Sequence, residues 1–507
     1  MIEVGFFAGH NVGIFGLARS GLSAAQALMR GRARVFAWDD SHAARDGADA
    51  KGIPLVAWER WPWEQLKAVI LSPGIPLTSP APHAIVRRAQ EAGVEVIGDV
   101  ELFARAIRPP GANKGAAPVI AVTGTNGKST TTALIGHILT AAGFDAQVGG
   151  NIGEPVLDLG APRGNTVYVL EISSYQIDLA PGLVPDIAVL TNLSPDHIDR
   201  HGTMANYVAV KTALLTRSAP GGVAANQTPG GVATNQTPGG VAADSTNRRS
   251  APGGHVVIGI DDSYSAAICT QLAARGVVKV VAVSVGKVLG RGIFVIDGHL
   301  FDAWDRSPTE LGDLGKAAHL PGAHNWQNAA LAYGAVRSLV HNPRVIIDAI
   351  MGFPGLAHRL EEVGRVGKVR FVNDSKATNA DATACALGCY PDIFWIAGGR
   401  AKEGGIVDLA PYFSRLRRAY LIGEAAQSFG RTLAGKVEAV QCGTLDRALA
   451  ACLSDAAAST VPDPVVLLSP ACDSRDQFRD FEHRGDVFRA AVKAMMDAAK
   501  GPKEARA

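Results

Sequence analysis

The chain has 507 residues, of which 47% are hydrophobic and 19% charged, and its net charge is +2. This length exceeds what one hydrophobic core usually serves and predicts about three domains. The near-neutral charge gives no indication of a nucleic-acid-binding surface. Six cysteines form no C-x-x-C pair, no signal peptide opens the sequence, and no apolar run reaches the roughly 20 residues that span a bilayer. We therefore expect a cytoplasmic protein with reduced thiols, acting on soluble substrates and not on membranes.

The first 110 residues predict the βαβ start of a Rossmann-like domain. An apolar strand at 12–15 leads into a glycine-containing turn at 16–21, and a helix and a strand at 34–38 follow. A second glycine-containing turn, 72–75, follows the apolar strand 68–71. Because parallel sheets bind ligands at the carboxyl ends of their strands, both turns are candidate ligand loops.

The first turn also permits a dinucleotide-binding interpretation. Gly16, Ala18 and Gly21 have the spacing of the fingerprint, and Asp39 follows about twenty residues later. Ala18, however, replaces the glycine that lets a pyrophosphate approach most closely. Since a lone fingerprint is weak evidence, we disfavour NAD binding.

The central segment, 111–355, opens on the run Ala-Val-Thr-Gly-Thr-Asn-Gly-Lys-Ser-Thr at 121–130. An apolar strand enters this run and a helix leaves it. Its glycines let successive N–H groups point at one spot beside a helix N-terminus, where anions are favoured. Lys128 adds a charge for the outer phosphates, and Ser129 offers a hydroxyl to magnesium. The run therefore predicts nucleoside triphosphate binding, although its glycines are closer together than in the usual Walker loop; the alternative is a plain tight turn.

Two further polar positions follow apolar strands in this segment. Glu171 ends the strand at 167–171, where a carboxylate can ligate magnesium; the alternative is a helix-capping acid. His197 lies in an acidic loop after the strand at 187–191 and is either a ligand or a structural histidine. Lys211, fourteen residues after His197, has by itself the pattern of a solvated helix lysine.

One stretch does not fit the alternation of strands and helices. A nine-residue unit rich in Pro and Gly occupies 220–228, repeats at 229–237 and repeats loosely at 238–246. Its few apolar residues cannot form a core, so we predict a disordered insertion over 217–252 in preference to a binding repeat.

The last segment, 356–507, again alternates strands and helices, and the loop 352–355 is the predicted hinge into it. Three polar runs follow its strands, at 373–379, 398–405 and 469–478. Together they outline a pocket for a small anionic substrate. The polar side chains that favour this interpretation are Lys376, Thr378, Lys402 and Ser474.

Taken together, these runs resemble the Mur ligase family, the ATP-dependent amide-forming enzymes of peptidoglycan precursor synthesis. The resemblance covers nearly the whole chain apart from about 217–252. The loop at 123–129 is shared with folylpolyglutamate synthase and cyanophycin synthetase, so it indicates only the superfamily. The more specific runs resemble the branch of the family that adds D-glutamate. They are Glu171-x-Ser-Ser174, Gly150-Asn-Ile-Gly153, His358-Arg359, Asn373-Asp-Ser-Lys-Ala-Thr-Asn379 and Ser469-Pro-Ala-Cys-x-Ser-x-Asp-Gln-Phe478.

The resemblance implies an α/β fold of three domains. These are a Rossmann-like UDP-binding domain at 1–110, a central ATP-binding domain with a parallel sheet at 111–355, and a Rossmann-like amino-acid-binding domain at 356–507. It implies that ATP activates UDP-N-acetylmuramoyl-L-alanine as an acyl phosphate, which D-glutamate attacks through a tetrahedral intermediate as the third domain closes over the second. The alternatives are a related ligase for L-glutamate or another amino acid, and a non-catalytic ATP-binding module.

The resemblance also implies roles for individual residues. The catalytic residues would be Lys128, Glu171, His197 and Lys211, with Lys211 carbamylated. Two magnesium ions would be held by Ser129, Glu171, His197 and the carbamate. ATP would contact Gly124, Thr125, Asn126, Gly127, Lys128, Ser129, Thr130, Asn328, Arg359 and Asp374. The UDP substrate would contact Gly16, Ser20, Asp39, Ser72, Gly74, Asn151 and Ser173, whereas Arg19 and Asp40 depart from the family pattern. D-glutamate would contact Lys376, Thr378, Lys402, Ser474 and Phe481. We expect a monomer.

Overall fold

The computed structural model describes residues 1–108, 117–218, 254–305, 307–402 and 404–500. The chain divides into two units, one of Met1–Gly312 with Gln327–Ile350 and the other of Asp313–Trp326 with Met351–Ala507. The repeats of the predicted insertion lie outside the described residues.

A four-stranded parallel sheet of order β2-β1-β3-β4 forms the N-terminal part of the first unit. Val12 and Ile14 of β1 pack into the core with α1 and α4, while Phe15 packs on the opposite face with Trp61 and Trp63. The strand alternation thus fills both faces of the sheet. The elements are β1 (Asn11–Phe15), α1 (Arg19–Arg30), β2 (Arg34–Trp38), α2 (His42–Asp49), β3 (Leu66–Leu71), α3 (Ala84–Glu91), β4 (Glu95–Ile97) and α4 (Asp99–Ile107).

A nine-stranded sheet of order β13-β12-β11-β10-β9-β8-β5-β7-β6 follows. Its strands from β11 to β6 pair in parallel, and β12 is antiparallel to β11. Every residue of β5, β7, β8 and β9 is buried, as expected for central parallel strands covered on both faces. The elements are β5 (Val119–Thr123), α5 (Lys128–Ala141), β6 (Asp145–Gly150), β7 (Thr166–Glu171), α6 (Ser174–Asp178), β8 (Ile187–Leu190), α7 (Ile198–His201), α8 (Met204–Arg217), β9 (His255–Gly259), α9 (Ser263–Arg275), β10 (Lys279–Val285), β11 (Ile293–Ile296), β12 (His299–Asp302), β13 (Thr309–Asp313), α10 (Ala323–Val336) and α11 (Pro343–Met351).

The second unit contains a six-stranded sheet of order β14-β15-β20-β16-β18-β19. It is parallel except for its antiparallel edge strand β14, and the short strands β17 and β21 form a separate ladder. The elements are β14 (Glu361–Val366), β15 (Val369–Asn373), α12 (Ala380–Leu387), β16 (Ile393–Gly398), β17 (Arg400–Ala401), β18 (Leu416–Ile422), α13 (Ala426–Leu433), β19 (Ala439–Gly443), α14 (Leu445–Ala458), β20 (Val465–Leu468), β21 (Cys472–Asp473) and α15 (Phe481–Lys500).

The predicted α/β class with parallel-dominated sheets is confirmed. The division into three domains stays a prediction: the described parts of the chain form three large sheets, and the first two belong to one unit. Along the chain, the boundary between the two units falls after Ile350, next to the predicted hinge at 352–355. A motion at this hinge stays a prediction. In the parts of the chain that the structure describes, no helix combines the length and the apolar character needed to cross a membrane.

Candidate active site

The loop between β5 and α5 has a backbone that only glycine adopts readily at two positions. Gly124 has φ +143° and Gly127 has φ +83°. A Cβ on Gly124 would lie 1.9 Å from Thr191 Oγ1, and one on Gly127 would lie 2.3 Å from Asn328 Oδ1. Asn328, predicted to contact ATP, is therefore packed against this loop, and its Oδ1 also accepts a hydrogen bond from the Thr131 hydroxyl at 3.2 Å.

Two residues that directly follow the neighbouring strand β8, Thr191 and Asn192, hydrogen-bond to the phosphate loop. The Thr125 amide donates to Asn192 O at 2.8 Å, and the Asn126 amide donates to Asn192 Oδ1 at 2.9 Å. The Thr191 hydroxyl donates to Asn126 O at 2.6 Å. The sequence prediction missed both supporting residues, although their position after β8, which pairs with β5, was a usable signal.

Gly124→Ala is expected to destabilise the first unit by about 2–4 kcal/mol and to abolish ATP binding, because strain at positive φ adds to a clash with Thr191. Thermal unfolding and ATP titration would measure both effects. Gly143→Ala is the matched control, since Gly143 has φ +86° with nothing within 4 Å of a Cβ, so only the strain remains. Equal losses in the two variants would show that the close approach to Thr191 is unimportant.

Two lysines converge on the carbonyl oxygen of Gly124. Lys128 Nζ donates to Gly124 O at 2.9 Å and to Thr125 O at 2.7 Å. Lys211 Nζ donates to the same Gly124 oxygen at 2.9 Å and to Thr123 Oγ1 at 3.2 Å. Two lysine amines therefore lie within hydrogen-bonding distance of one acceptor, at the point where the resemblance places the triphosphate.

Lys211 is 1% exposed, so its interpretation as a solvated helix lysine is wrong. Burial lowers the pKa of Lys211 well below its usual value, and the charge of Lys128 lowers it further, whereas Asp196 and Glu171 act in the opposite direction. The neutral amine, which is the nucleophilic form, is therefore more accessible at Lys211 than at a surface lysine.

Glu171 ends β7 directly beside the phosphate-loop strand, where it pairs with Val122. Its carboxylate is 2% exposed, and its Oε1 accepts a hydrogen bond from Asn151 Nδ2 at 2.7 Å. Its Oε2 is buried and has no hydrogen-bond partner among the described residues, as is also true of Thr130 Oγ1. Such oxygens fit a hard cation, which would supply the missing interaction.

His197 precedes the short helix α7 in the left-handed conformation, with φ +55°. Its Nδ1 lies 3.0 Å from the Tyr175 hydroxyl and its Nε2 lies 3.5 Å from Asp196 Oδ2. Among the described residues no three His, Cys, Asp or Glu side chains form a metal-binding group. The two-magnesium site therefore stays a prediction, and it depends on hydroxyl and phosphate oxygens as well as on these side chains.

Three of the residues predicted to contact UDP meet at the first turn. Gly16 has φ +95°, and its carbonyl accepts a hydrogen bond from the Ser72 hydroxyl at 2.9 Å. Asp39 accepts hydrogen bonds from the amides of Leu17 at 2.6 Å and Ser41 at 2.7 Å. The Asp39 carboxylate thus shapes the turn by accepting hydrogen bonds from two backbone amides.

The other predicted UDP contacts occupy varied environments. Ser20 is half-buried in the first turn of α1, and Gly74 is exposed. Asn151 is attached to Glu171, and Ser173 caps α6 by accepting a hydrogen bond from the Gln176 amide at 3.3 Å. The guanidinium of Arg19, which departs from the family pattern, donates to Gly153 O and so joins the first turn to the Gly150–Gly153 run.

In the second unit the structure brings together three predicted D-glutamate contacts. Lys376 Nζ lies 5.1 Å from the centre of the Phe481 ring, and the Thr378 amide donates to Lys376 O at 2.9 Å. Ser474 is 3% exposed in the loop after β21, whereas Lys402 follows β17 and is exposed. The first group can present one cation and one hydroxyl to an anionic substrate.

Asp374 and Arg359, both predicted to contact ATP, lie in the second unit. Asp374 is 5% exposed and accepts hydrogen bonds from the Ser469 hydroxyl at 2.8 Å and from the Leu360 amide at 3.2 Å. Burial raises its pKa to about 7, against the opposing effects of the Ser469 hydrogen bond and the Arg359 charge. Arg359 Nε is buried without a hydrogen-bond partner among the described residues, which leaves one donor for a ligand.

The fold of this chain has counterparts among known proteins. The family model described as the Mur ligase middle domain matches residues 122–228. In solved structures, the UDP-N-acetylmuramate-alanine ligase of Thermotoga maritima has a TM-score of 0.57 at 15% identity, covering 96% of this chain and 99% of that one. MurF of Acinetobacter baumannii has a TM-score of 0.54 at 16% identity, covering 82% and 87%. The chain thus shares the fold of these Mur ligases, and residues 122–228 match the middle domain of that class.

Curated relatives narrow this class. The UDP-N-acetylmuramoylalanine--D-glutamate ligase of Caulobacter vibrioides (strain NA1000 / CB15N) is 49% identical over 98% of both chains. The protein of the same name from Phenylobacterium zucineum is 48% identical, over 98% of this chain and 99% of that one. The chain therefore belongs to the UDP-N-acetylmuramoylalanine–D-glutamate ligase family.

Proposed function

We propose that this protein is an ATP-dependent ligase that joins D-glutamate to UDP-N-acetylmuramoyl-L-alanine in peptidoglycan precursor synthesis. The observation that carries the proposal is the 49% identity to a ligase of that name over 98% of both chains. The phosphate loop, with Lys128 and Lys211 at one carbonyl, supports the ATP-dependent part of the reaction.

The proposed reaction has two chemical steps. The carboxylate of the alanyl group attacks the γ-phosphorus of ATP, which gives an acyl phosphate and releases ADP. The neutral amine of D-glutamate then adds to the acyl carbon, and the tetrahedral intermediate loses inorganic phosphate and a proton to leave the amide. Lys128 and the loop amides neutralise charge on the transferred group, so catalysis is mainly positioning and electrostatic stabilisation.

Magnesium is the cofactor that the buried oxygens near the phosphate loop fit. Ser129 and Glu171 would hold one ion, and His197 with a carbamate on Lys211 would hold the second. Bound magnesium supplies charge neutralisation at the phosphate oxygens. The unpartnered Glu171 Oε2 supports the first assignment.

We further propose that Lys211 is carbamylated. Its neutral amine would attack carbon dioxide, forming the N–C bond and releasing one proton to solvent. The low pKa that burial gives this lysine favours the neutral amine. The charge of the adjacent Lys128 would then stabilise this anion.

The remaining assignments complete the proposal. ATP is proposed to contact Gly124, Thr125, Asn126, Gly127, Lys128, Ser129, Thr130, Asn328, Arg359 and Asp374. The UDP substrate is proposed to contact Gly16, Ser20, Asp39, Ser72, Gly74, Asn151 and Ser173. D-glutamate is proposed to contact Lys376, Thr378, Lys402, Ser474 and Phe481. We propose that the protein is a monomer of three domains. We also propose that it works in the cytoplasm, because its substrates are charged and water-soluble.

Phosphate release tests the proposed function. Reactions would contain ATP, magnesium and UDP-N-acetylmuramoyl-L-alanine, with D-glutamate, with L-glutamate or without an amino acid. We expect release that depends on D-glutamate. Release that depends on L-glutamate would contradict the stereochemistry but not the ligase chemistry. Protein that binds ATP yet releases no phosphate in response to any amino acid would contradict the ligase reaction.

A further inference from the structure

A buried arginine in the second unit, Arg484, contacts the first of the three loops proposed to surround D-glutamate. It lies in the first turn of α15 and is 1% exposed. Its Nε donates to Ser375 Oγ at 2.9 Å, and its Nη2 donates to Ser375 O at 2.8 Å. These bonds fix the backbone immediately before Lys376 and Thr378.

The same guanidinium also contacts the loop at 469–478 and supports the loop at 398–405. Nη1 and Nη2 both donate to Cys472 O, each at 3.2 Å, two residues before Ser474. Cys472 pairs with Ala401 in the ladder of β21 and β17, and Lys402 follows directly. One side chain is therefore bonded to two of the loops and braces the start of the third through this ladder.

The first residue of α15, Phe481, is hydrogen-bonded to the same serine, Ser375. The Ser375 hydroxyl that accepts from Arg484 donates to Phe481 O at 2.8 Å. Gly485 allows the close packing, since a Cβ there would lie 2.1 Å from His358 Nδ1. Phe481 is thereby held over Lys376, with the ring centre 5.1 Å from Nζ.

Among the residues that the structure describes, none of the hydrogen-bond acceptors of Arg484 is a carboxylate. Its acceptors are one hydroxyl and two carbonyl oxygens, and burial lowers its pKa to about 10, so the side chain stays charged at neutral pH. A buried cation with neutral acceptors is a costly way to stabilise a fold, because the charges of Asp473, Asp476 and Asp374 offset its desolvation only in part. Its five-donor fork is, however, suited to joining several backbone segments in a fixed geometry.

We propose that Arg484 is a positioning residue for D-glutamate, holding the three loops at the spacing that the amino acid requires without touching it. This inference rests on the proposed function, since it assumes that these loops bind D-glutamate. It predicts that loss of Arg484 weakens use of D-glutamate while leaving the formation of the acyl phosphate intact.

Arg484→Met and Arg484→Lys test this role. Arg418→Met is the matched control, because Arg418 lies near the amino-terminal end of β18 and pairs with Asp455 at 2.7 Å. Two quantities would be measured in each variant: the KM for D-glutamate, and the rate at which hydroxylamine traps the acyl phosphate in the absence of amino acid. For Arg484→Met we expect the KM to rise about 30-fold while trapping stays within about threefold of wild type. Lysine should restore part of the loss, and the control should change neither quantity.

A folded Arg484→Met protein whose KM for D-glutamate rises less than about fivefold would overturn the inference, as would a loss of trapping in proportion to the loss of ligation. If the methionine variant does not fold, the same limits apply to Arg484→Lys, which retains the charge and some donors. Failure of the proposed function is separable from both outcomes, because wild-type protein would then form no trapped hydroxamate and show no response to D-glutamate.

Discussion

Replacing Lys128 by methionine is expected to lower kcat about 100- to 1,000-fold, the usual effect of removing one preorganised donor from a site of developing charge. Lys128 Nζ donates to the carbonyls of Gly124 and Thr125, so its ammonium is already at the mouth of the phosphate loop. When ATP binds, the ammonium can exchange these two carbonyl acceptors for phosphate oxygens. Methionine keeps the stem of the side chain and removes only the charge and the donors.

Initial rates of D-glutamate-dependent phosphate release would measure the effect, with thermal unfolding as the test of folding. Lys287→Met is the control, because Lys287 is an exposed lysine of the same unit, in the turn after β10. The control should keep the wild-type rate. A Lys128→Met enzyme that retained a third or more of kcat would contradict the proposed role.

Replacing Lys211 by methionine is expected to lower activity about 100-fold or more while leaving the thermal midpoint unchanged or higher. Activity and thermal stability do not fall together because the burial that penalises the charged ammonium also favours the reactive neutral amine. Lys211 would thus lower stability but be required for activity, which is the general trade-off between stability and activity at functional sites. Rates and unfolding curves of the purified variant would measure both effects.

The carbamate itself has a separate readout. Wild-type protein equilibrated with ¹³C-bicarbonate should give a carbamate carbon resonance that Lys211→Met lacks, and wild-type activity should fall in buffers stripped of carbon dioxide and recover on its return. Full activity without carbon dioxide, together with no resonance in the wild type, would contradict carbamylation. A midpoint that falls sharply in Lys211→Met would instead indicate a structural role for the ammonium.

Much of the fold could be predicted from hydrophobic runs. The strand predicted at 34–38 has the predicted bounds, and the phosphate loop lies between strand and helix as expected. These predictions succeed because parallel strands buried on both faces leave continuous apolar runs, and because glycines mark the turns that follow them. The α5 helix begins at Lys128, inside the predicted loop run at 121–130, because the last residues of that run form the first turn of the helix.

The burial of single polar residues could not be predicted in the same way. Lys211 has the local pattern of a surface lysine, and only the packing of α8 against the phosphate loop makes it a buried one. Arg484 lies in the charged helix α15, where the sequence pattern does not predict its burial. The available signal was Gly485, because a glycine inside a helix costs about 1 kcal/mol unless a close neighbour requires it.

The most direct test of the central claim follows an oxygen atom. UDP-N-acetylmuramoyl-L-alanine labelled with ¹⁸O in its terminal carboxylate would be incubated with ATP, magnesium and D-glutamate, and product and phosphate would be analysed by mass spectrometry. We predict the D-glutamyl amide together with phosphate that carries one ¹⁸O from the carboxylate, as transfer through an acyl phosphate requires. Unlabelled phosphate without amide product would show that the enzyme hydrolyses ATP with water, and it would contradict the proposed ligase reaction.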